Sequence, residues 1–114
     1  MQVQFNSDSS VMGTANVAER IEASVRGKLS RFEDRLTRLE IHVHDENAHK
    51  HGHDDKACTI EARPRGGKPI GVTEGASTVD DAARKAAGTL AQRLTRHFGK
   101  QNRHGHDPRP DKVM

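Results

Sequence analysis

Three short segments determine the predicted fold: residues 38–44 (RLEIHVH), residues 57–63 (ACTIEAR) and residues 69–73 (PIGVT). In each segment apolar side chains alternate with polar ones, and this period of two is typical of a strand with one buried face. Residues 65–68 (RGGK) separate the last two segments, and paired glycines supply the positive φ that a tight hairpin turn needs. The segments therefore predict a sheet that is covered on one side only.

A strand and a helix are predicted before residue 38. Val3 and Phe5 alternate with polar residues at the start of the chain, which favours a first strand. The helix is expected to be capped by Thr14 or Asn16 and to end near Phe32 or Leu36. Its apolar residues recur at intervals of three or four, as on one face of an α-helix: Val17, Ile21, Val25, Leu29, Phe32 and Leu36.

A second helix is predicted after the third segment. Ser77 is the expected cap with Asp80 as its capping-box partner, and Gly99 is expected to end the helix after Phe98. Residues 100–114 contain prolines and no apolar pattern, so a flexible hydrophilic tail is expected there. The buried stripe of this second helix is predicted to comprise Val79, Ala83, Ala86, Leu90, Leu94 and Phe98.

The predicted order of elements is β-α-β-β-β-α, within one domain over residues 1–99. Such an order is typical of a two-layer α/β (α+β) sandwich, a four-stranded mixed sheet with two parallel helices on one face. The first helix is a crossover, so the first two strands should be parallel and the remaining pairs antiparallel.

The composition of the chain excludes several classes of function. The chain has 114 residues, 3% aromatic residues and a single cysteine, so no internal disulfide is possible. Cys58 shares a strand face with Ile60, which favours a buried core residue over a nucleophile, since neither His53 nor His97 is obviously placed to activate it. No signal peptide, membrane span or convergent catalytic set is evident. We therefore expect a cytoplasmic protein that is not an enzyme and needs no cofactor.

Charge is distributed unevenly along the chain. The formal net charge is +3, yet residues 84–114 hold 8 of the 19 Lys and Arg residues and only 2 of the 16 acids. One end of the molecule should therefore attract polyanions, although a basic helix that is merely solvated explains the charge equally well.

Basic residues form a stripe along one flank of each predicted helix. Stripes on two adjacent helices can follow a phosphate backbone, with an affinity that depends on salt because counterions are released. The sheet lacks the aromatic residues that stack bases, and no helix-turn-helix or zinc finger is present, so sequence-specific DNA binding is not expected. The candidate RNA-binding residues are Arg20, Lys28, Arg31 and Arg35 in the first helix, and Lys85, Arg93, Arg96 and Lys100 in the last.

A histidine-rich stretch suggests a metal site. Imidazoles at this density, interleaved with carboxylates, could hold zinc or a similar metal. However, a polar loop that happens to use histidine explains the same pattern, and no paired cysteine supports a structural site. The candidate ligands are His42, His44, His49, His51 and His53.

Several segments resemble one family when they are taken in order. Residues 28–36 (KLSRFEDRL), 38–44, 54–63 and 69–73 are similar to the short form of the ribosome hibernation-promoting factors. These factors are also called ribosome-associated inhibitors or sigma modulation proteins. The resemblance covers roughly residues 1–99, and Thr89 and Thr95 depart from it because the family often has basic residues at those places.

The resemblance implies a domain that docks on the small ribosomal subunit and its rRNA, in the channel used by messenger and transfer RNA. Basic residues of both helices would make the contact, and Lys28, Arg31 and Arg35 match basic positions of the first helix. Arg93, Arg96 and Lys100 fall in the basic end of the last helix. The dimerising domain of the long form has no counterpart here, so direct pairing of ribosomes through it is not expected. A monomer is the expected state.

These observations lead to one functional hypothesis and one alternative. The hypothesis is a non-enzymatic ribosome-associated factor that inhibits translation and promotes hibernation under stress. The alternative is a metal-binding or metal-responsive protein that uses the histidine-rich loop.

Overall fold

The structure is a computed structural model, and it describes residues 1–7, 15–45 and 56–105. Its elements follow the predicted order, with a short 3₁₀ helix inserted after the first α-helix. They are β1 (Gln2–Ser7), α1 (Ala15–Leu29), the 3₁₀ helix (Ser30–Arg35), β2 (Leu36–Asp45), β3 (Lys56–Pro64), β4 (Ile70–Ala76) and α2 (Val79–Gly105).

The four strands form one mixed sheet in the order β1-β2-β3-β4. β1 pairs with β2 in parallel, and both other pairs are antiparallel, as the crossover predicts. The predicted α+β sandwich is therefore confirmed. One sheet face carries the apolar residues of the alternating pattern, and rows such as Phe5, Ile41, Ile60 and Val72 run across all four strands beneath the helices.

The core is aliphatic and rich in alanine. Ile21, Val25 and Leu29 of α1 are almost completely buried, and so are Leu90 and Leu94 of α2. Small residues let α2 approach the sheet and α1 closely, because Ala82, Ala83, Ala86 and Ala87 are all fully buried. This packing of small side chains compensates for the low aromatic content.

The end of the first helix differs from the prediction. α1 ends at Leu29, and the 3₁₀ helix then buries Phe32, three residues further on. Leu36 belongs to β2 instead of the helix. A bulge between Leu36 and Arg38 inserts one extra residue, so that Leu36 and Leu39 are both fully buried although they are three apart. The bulge therefore gives the apolar residues of this segment a spacing that resembles a helix face in the sequence.

Both ends of the last helix also differ from the prediction. Thr78, not Ser77, caps α2: the Asp81 amide donates to Thr78 Oγ1 over 3.1 Å. Gly99 does not end the helix, because Gly66 is the glycine with a positive φ within the described ranges and α2 continues to Gly105. The expected cap Thr14 and residues 106–114 of the expected tail lie outside the described residues, and Asn16 lies inside α1.

The hairpin between β3 and β4 follows the prediction. Gly66 has a φ of +69°, and the Gly67 amide donates to the Pro64 carbonyl over 3.1 Å. Neither helix in the described ranges combines the length and apolarity that a membrane-spanning helix requires.

Candidate nucleic-acid interface

The basic stripe of the first helix faces α2. Arg20 binds Asp80 at the start of α2, with Nε 3.2 Å from Oδ1 and Nη2 2.9 Å from Oδ2. The hydrogen bond and the charge of Asp80 raise the pKa of Arg20 above its ordinary value. At the other end, Arg31 Nη2 donates to Thr95 Oγ1 over 2.7 Å. The first contact lies near the starts of α1 and α2, and the second lies toward their ends. The two helices therefore run in the same direction.

The basic stripe of α2 lies on the opposite flank, above the edge strand β4. Lys85 Nζ donates to the Gly75 carbonyl over 2.9 Å, and Arg93 Nη1 lies 3.5 Å from the Gly71 carbonyl. Thr89, which fills the gap in this stripe, donates to Glu74 Oε2 over 2.8 Å. These contacts cover the edge of β4. The two predicted stripes therefore do not line one groove along the whole length of the helices.

An aromatic pair between the 3₁₀ helix and α2 supports two arginines of the first stripe. The rings of Phe32 and Phe98 stack with centroids 5.9 Å apart. The Arg35 guanidinium lies 4.4 Å from the centroid of Phe98, and that of Arg31 lies 4.8 Å from the centroid of Phe32. Cation–π contacts of this kind hold a guanidinium in place and leave its charge uncancelled.

The β3–β4 turn adds two cations at this end of the molecule. The Arg65 amide donates to the Arg35 carbonyl over 2.9 Å, and Arg65 Nε donates to the Asp34 carbonyl over 2.8 Å. Arg65 and the exposed Lys68 were not identified as site residues from the sequence. The available signal was a pair of basic residues flanking Gly66-Gly67, which a helical wheel does not consider.

Two regions of the helical layer can now be distinguished. The cationic end consists of Lys28, Arg31, Arg35, Arg65, Lys68, Arg93 and Arg96, and within the described ranges none of these side chains forms an ion pair. The paired end consists of Arg20, Asp80, Asp81 and Arg84, and each of its charges has an opposite charge within 4 Å, at 2.9 Å for Arg20–Asp80 and 2.6 Å for Arg84–Asp81.

The eight predicted RNA-binding residues are thus divided. Lys28, Arg31, Arg35, Arg93 and Arg96 lie at the cationic end, whereas Arg20 is at the paired end. Lys85 lies between them on the β4 flank. Lys100 is in the backbone of α2, and its side chain lies outside what the structure describes. The cationic end also contains two acids, Glu33 and Asp34 of the 3₁₀ helix.

A pocket of about 370 Å³ opens at the cationic end, beside the start of β4, and it is lined by Ile70, Arg93, Arg96 and His97. The Nε2 atom of His97 is buried and has no hydrogen-bond partner among the described residues. A methyl group on Gly67 would lie 3.9 Å from this Nε2, so the β3–β4 turn forms the neighbouring wall.

The histidine-rich stretch is only partly described. His42 and His44 lie on the same side of β2, with ring centroids 5.3 Å apart. Among the described residues no group of three metal-binding side chains is present. His49, His51 and His53 lie outside the described residues, so the metal hypothesis stays a prediction.

Cys58 is a core residue, as predicted. It is completely buried between the sheet and the helices, and burial raises the pKa of its thiol to about 12. The thiolate that a nucleophile needs is therefore scarce near neutral pH.

Comparison with known proteins identifies the family. The model of the family described as sigma 54 modulation protein / S30EA ribosomal protein matches residues 11–102. The chain belongs to this family. The resemblance that residues 28–36, 38–44, 54–63 and 69–73 suggest is therefore confirmed, and the match spans α1, both antiparallel strand pairs and most of α2.

Solved structures with the same fold include two proteins with low sequence identity. The N-terminal domain of Protein Y from Thermus thermophilus is 18% identical, with a TM-score of 0.66 over 85% of this chain and 99% of that one. A ribosomal subunit interface protein from Coxiella burnetii is 16% identical, with a TM-score of 0.66 over 87% and 99% of the two chains. At these identities the likeness shows the fold alone. No curated protein matches the chain.

Proposed function

We propose that this member of the S30EA family is a ribosome-associated, hibernation-type factor that binds the small ribosomal subunit and inhibits translation. The cationic end would contact rRNA phosphates in the channel used by messenger and transfer RNA. The factor would act in the cytoplasm as a monomer, under stress, and without catalysis.

One observation carries the proposal: the cations at one end of the helical layer are held in place without being neutralised. Arg31 and Arg35 rest on Phe32 and Phe98, and Arg96 has no ion-pair or hydrogen-bond partner among the described residues. Family membership supports a ribosomal partner for this surface. Charges of this kind release counterions when they meet phosphates, which is the main source of affinity for an RNA backbone.

The predicted residues should contribute unequally. We expect the largest contributions from the unpaired guanidiniums and ammonium groups, and small ones from two residues with partners: Arg20, which Asp80 neutralises, and Lys85, which donates to Gly75. Lys100 extends the same helix and is included in the proposal. The expected contact residues are Lys28, Arg31, Arg35, Arg93, Arg96 and Lys100, with Arg65 and Lys68 added from the structure.

The mechanism is steric. The guanidiniums of Arg31 and Arg35 are already positioned by aromatic contacts and by Thr95, so less side-chain entropy is lost on binding. Thr95 occupies a place where the family often has a basic residue, and here it positions Arg31 instead. A rigid surface docked on rRNA would exclude messenger and transfer RNA from the same volume.

The test is co-sedimentation with small ribosomal subunits at two salt concentrations. We expect the wild-type protein to pellet at low salt and to be released at high salt. The variant R31E/R93E/R96E should fail to pellet even at low salt. A matched control is R26E/R63E/R84E, which makes the same charge change at arginines that already have acidic partners.

The control separates location from net charge. If both triple variants lose pelleting equally, total charge is responsible and the cationic end has no special role. If R31E/R93E/R96E pellets like the wild type, the proposed interface is wrong.

A further inference from the structure

The pocket at the cationic end has walls of two chemical kinds. Arg93 and Arg96 supply guanidinium groups, whereas Ile70 supplies an apolar surface and His97 an imidazole ring. Among the described residues, no acidic side chain lines it. A concave site with cations on one side and an apolar and aromatic surface on the other suits a ligand that is itself half anionic and half flat or apolar.

Both arginines can turn toward a ligand. Arg93 Nη1 has a single long contact, 3.5 Å from the Gly71 carbonyl, so little is lost when it moves. Arg96 makes no ion pair or hydrogen bond within the described part of the chain. Two guanidiniums on one helix, three residues apart, lie on the same side and can bind one phosphate from two directions.

The surroundings of the His97 imidazole are unusual for a polar ring. His97 packs edge-on against Phe98, with ring centroids 5.0 Å apart, and its buried Nε2 has no partner in the described residues. A buried polar atom without a partner is costly, and in native proteins it commonly marks a place where water or a ligand binds. Splayed-out RNA bases also stack on the planes of imidazole and guanidinium groups.

The pocket is larger than a phosphate group alone would need. Its volume of about 370 Å³ lies near the lower end of the range for small-molecule sites, roughly 300–1,000 Å³. The remaining space beside Ile70 and His97 would accommodate the sugar or base that is attached to the phosphate.

We propose that this pocket binds a single nucleotide, with its phosphate on Arg93 and Arg96 and its base or sugar against Ile70 and His97. The inference deepens the proposed function, and it rests on that function for the source of the nucleotide, an unstacked residue of rRNA. A free nucleotide offers the same chemistry, so the experiment must distinguish an internal phosphodiester from a terminal phosphate.

The test is an NMR titration of the full chain that follows the His97 imidazole resonances. The probes are adenosine 5′-monophosphate, the dinucleoside monophosphate ApA, inorganic phosphate and adenosine. We expect a saturable shift of the His97 signal with one or both phosphate-bearing nucleosides, and much weaker binding of phosphate or adenosine alone. The variant R96Q should bind about tenfold more weakly because it loses a charge-assisted contact, and the control R84Q should bind like the wild type.

The outcomes are distinct. Saturation by ApA identifies an RNA backbone as the source, and saturation by the monophosphate alone identifies a free nucleotide. The proposal is overturned if neither nucleotide saturates the signal up to about 10 mM, or if inorganic phosphate binds as tightly as the nucleotides. It is also overturned if R96Q and R84Q behave alike.

Ribosome pelleting of the same samples keeps the two proposals apart. If the wild-type protein binds a nucleotide but does not pellet with subunits, the proposed function is overturned and the nucleotide-binding pocket is retained. A wild-type protein that pellets but binds no nucleotide overturns the pocket alone.

Discussion

The two ends of the helical layer use arginine in different ways. At the paired end, Arg20 and Arg84 lie 2.9 Å and 2.6 Å from carboxylates, so their charges are locally cancelled. At the cationic end, Arg31 and Arg35 are fixed by the rings of Phe32 and Phe98, which hold a guanidinium without cancelling it. The charge of arginine is thus neutralised at one end and remains available for a phosphate at the other.

This difference explains why a stripe of basic residues is a poor guide to an RNA-binding surface. Arg20 and Arg31 belong to the same predicted stripe, yet Asp80 meets the first and Thr95 meets the second. An exposed ion pair contributes little to stability and is screened by salt. It nevertheless removes a cation from the set that an RNA backbone can use.

Removing the aromatic support of the cationic end should have the largest effect. Phe98 is 6% exposed and carries Arg35 on its ring, so F98A should lower the free energy of unfolding by about 3–5 kcal/mol. The variant should also weaken ribosome binding. The measurements are urea denaturation and co-sedimentation.

A matched change at the paired end is I21A. Ile21 is 1% exposed beside Arg20, and the loss of stability should be similar, roughly 2–5 kcal/mol. However, folded I21A should retain the ribosome affinity of the wild type. If the two variants lose affinity to the same extent, the aromatic pair does not position the interface.

The sheet beneath both ends should show an intermediate effect that depends on pH. Burial raises the pKa of Cys58 to about 12, from an ordinary value of 9.0. Above the ordinary value the unfolded chain releases this proton while the folded chain keeps it, so stability falls as pH rises from 9 toward 12. The loss should be about 1.4 kcal/mol per pH unit in that window.

The variant C58A isolates this contribution. Urea unfolding of both proteins from about pH 8 to about pH 10.5 should show a steeper decline for the wild type. Equal slopes would mean that the thiol is not buried in the way described. Because Cys58 lies in the core and not at the cationic end, C58A should not change ribosome binding near neutral pH except through unfolding.

Releasing a cation at the paired end should have the smallest effect. D80N frees Arg20, and loss of this exposed pair should change stability very little because solvent screens it. Affinity for small subunits at low salt should rise slightly, about two- to threefold, because Arg20 becomes available to phosphates. The isosteric variant D81N tests the same idea with Arg84, whose ion pair lies within one helix. A fall in affinity for D80N would contradict the role assigned to pairing.

Much of the fold was predictable because its signals are local. The alternation around Leu39, Ile41 and Val43 defined β2, and all three are buried as expected. The errors arose where a local signal had two meanings. The bulge at the start of β2 gave Leu36 a helical spacing, and Gly99 lies in a helix that needs no left-handed residue there.

The interface was less predictable because it depends on contacts between distant residues. Arg20 and Asp80 are 60 positions apart, so no helical wheel could show that one charge cancels the other. Arg65 joins the site only because the hairpin turn packs against the 3₁₀ helix at Asp34 and Arg35. The residue types were visible in the sequence, but their pairing required the tertiary structure.

The central claim is that unpaired cations at one end of the helical layer make the contact with RNA. The most direct measurement is the slope of log affinity against log salt for small subunits, compared between K28Q/R31Q/R35Q and R20Q/R26Q/R84Q. Each phosphate contact contributes roughly 0.7–0.9 to the slope. The first variant should therefore lose about two units of slope, and the second should keep the wild-type value within error. Equal losses in both variants, or a loss only in the second, would contradict the claim.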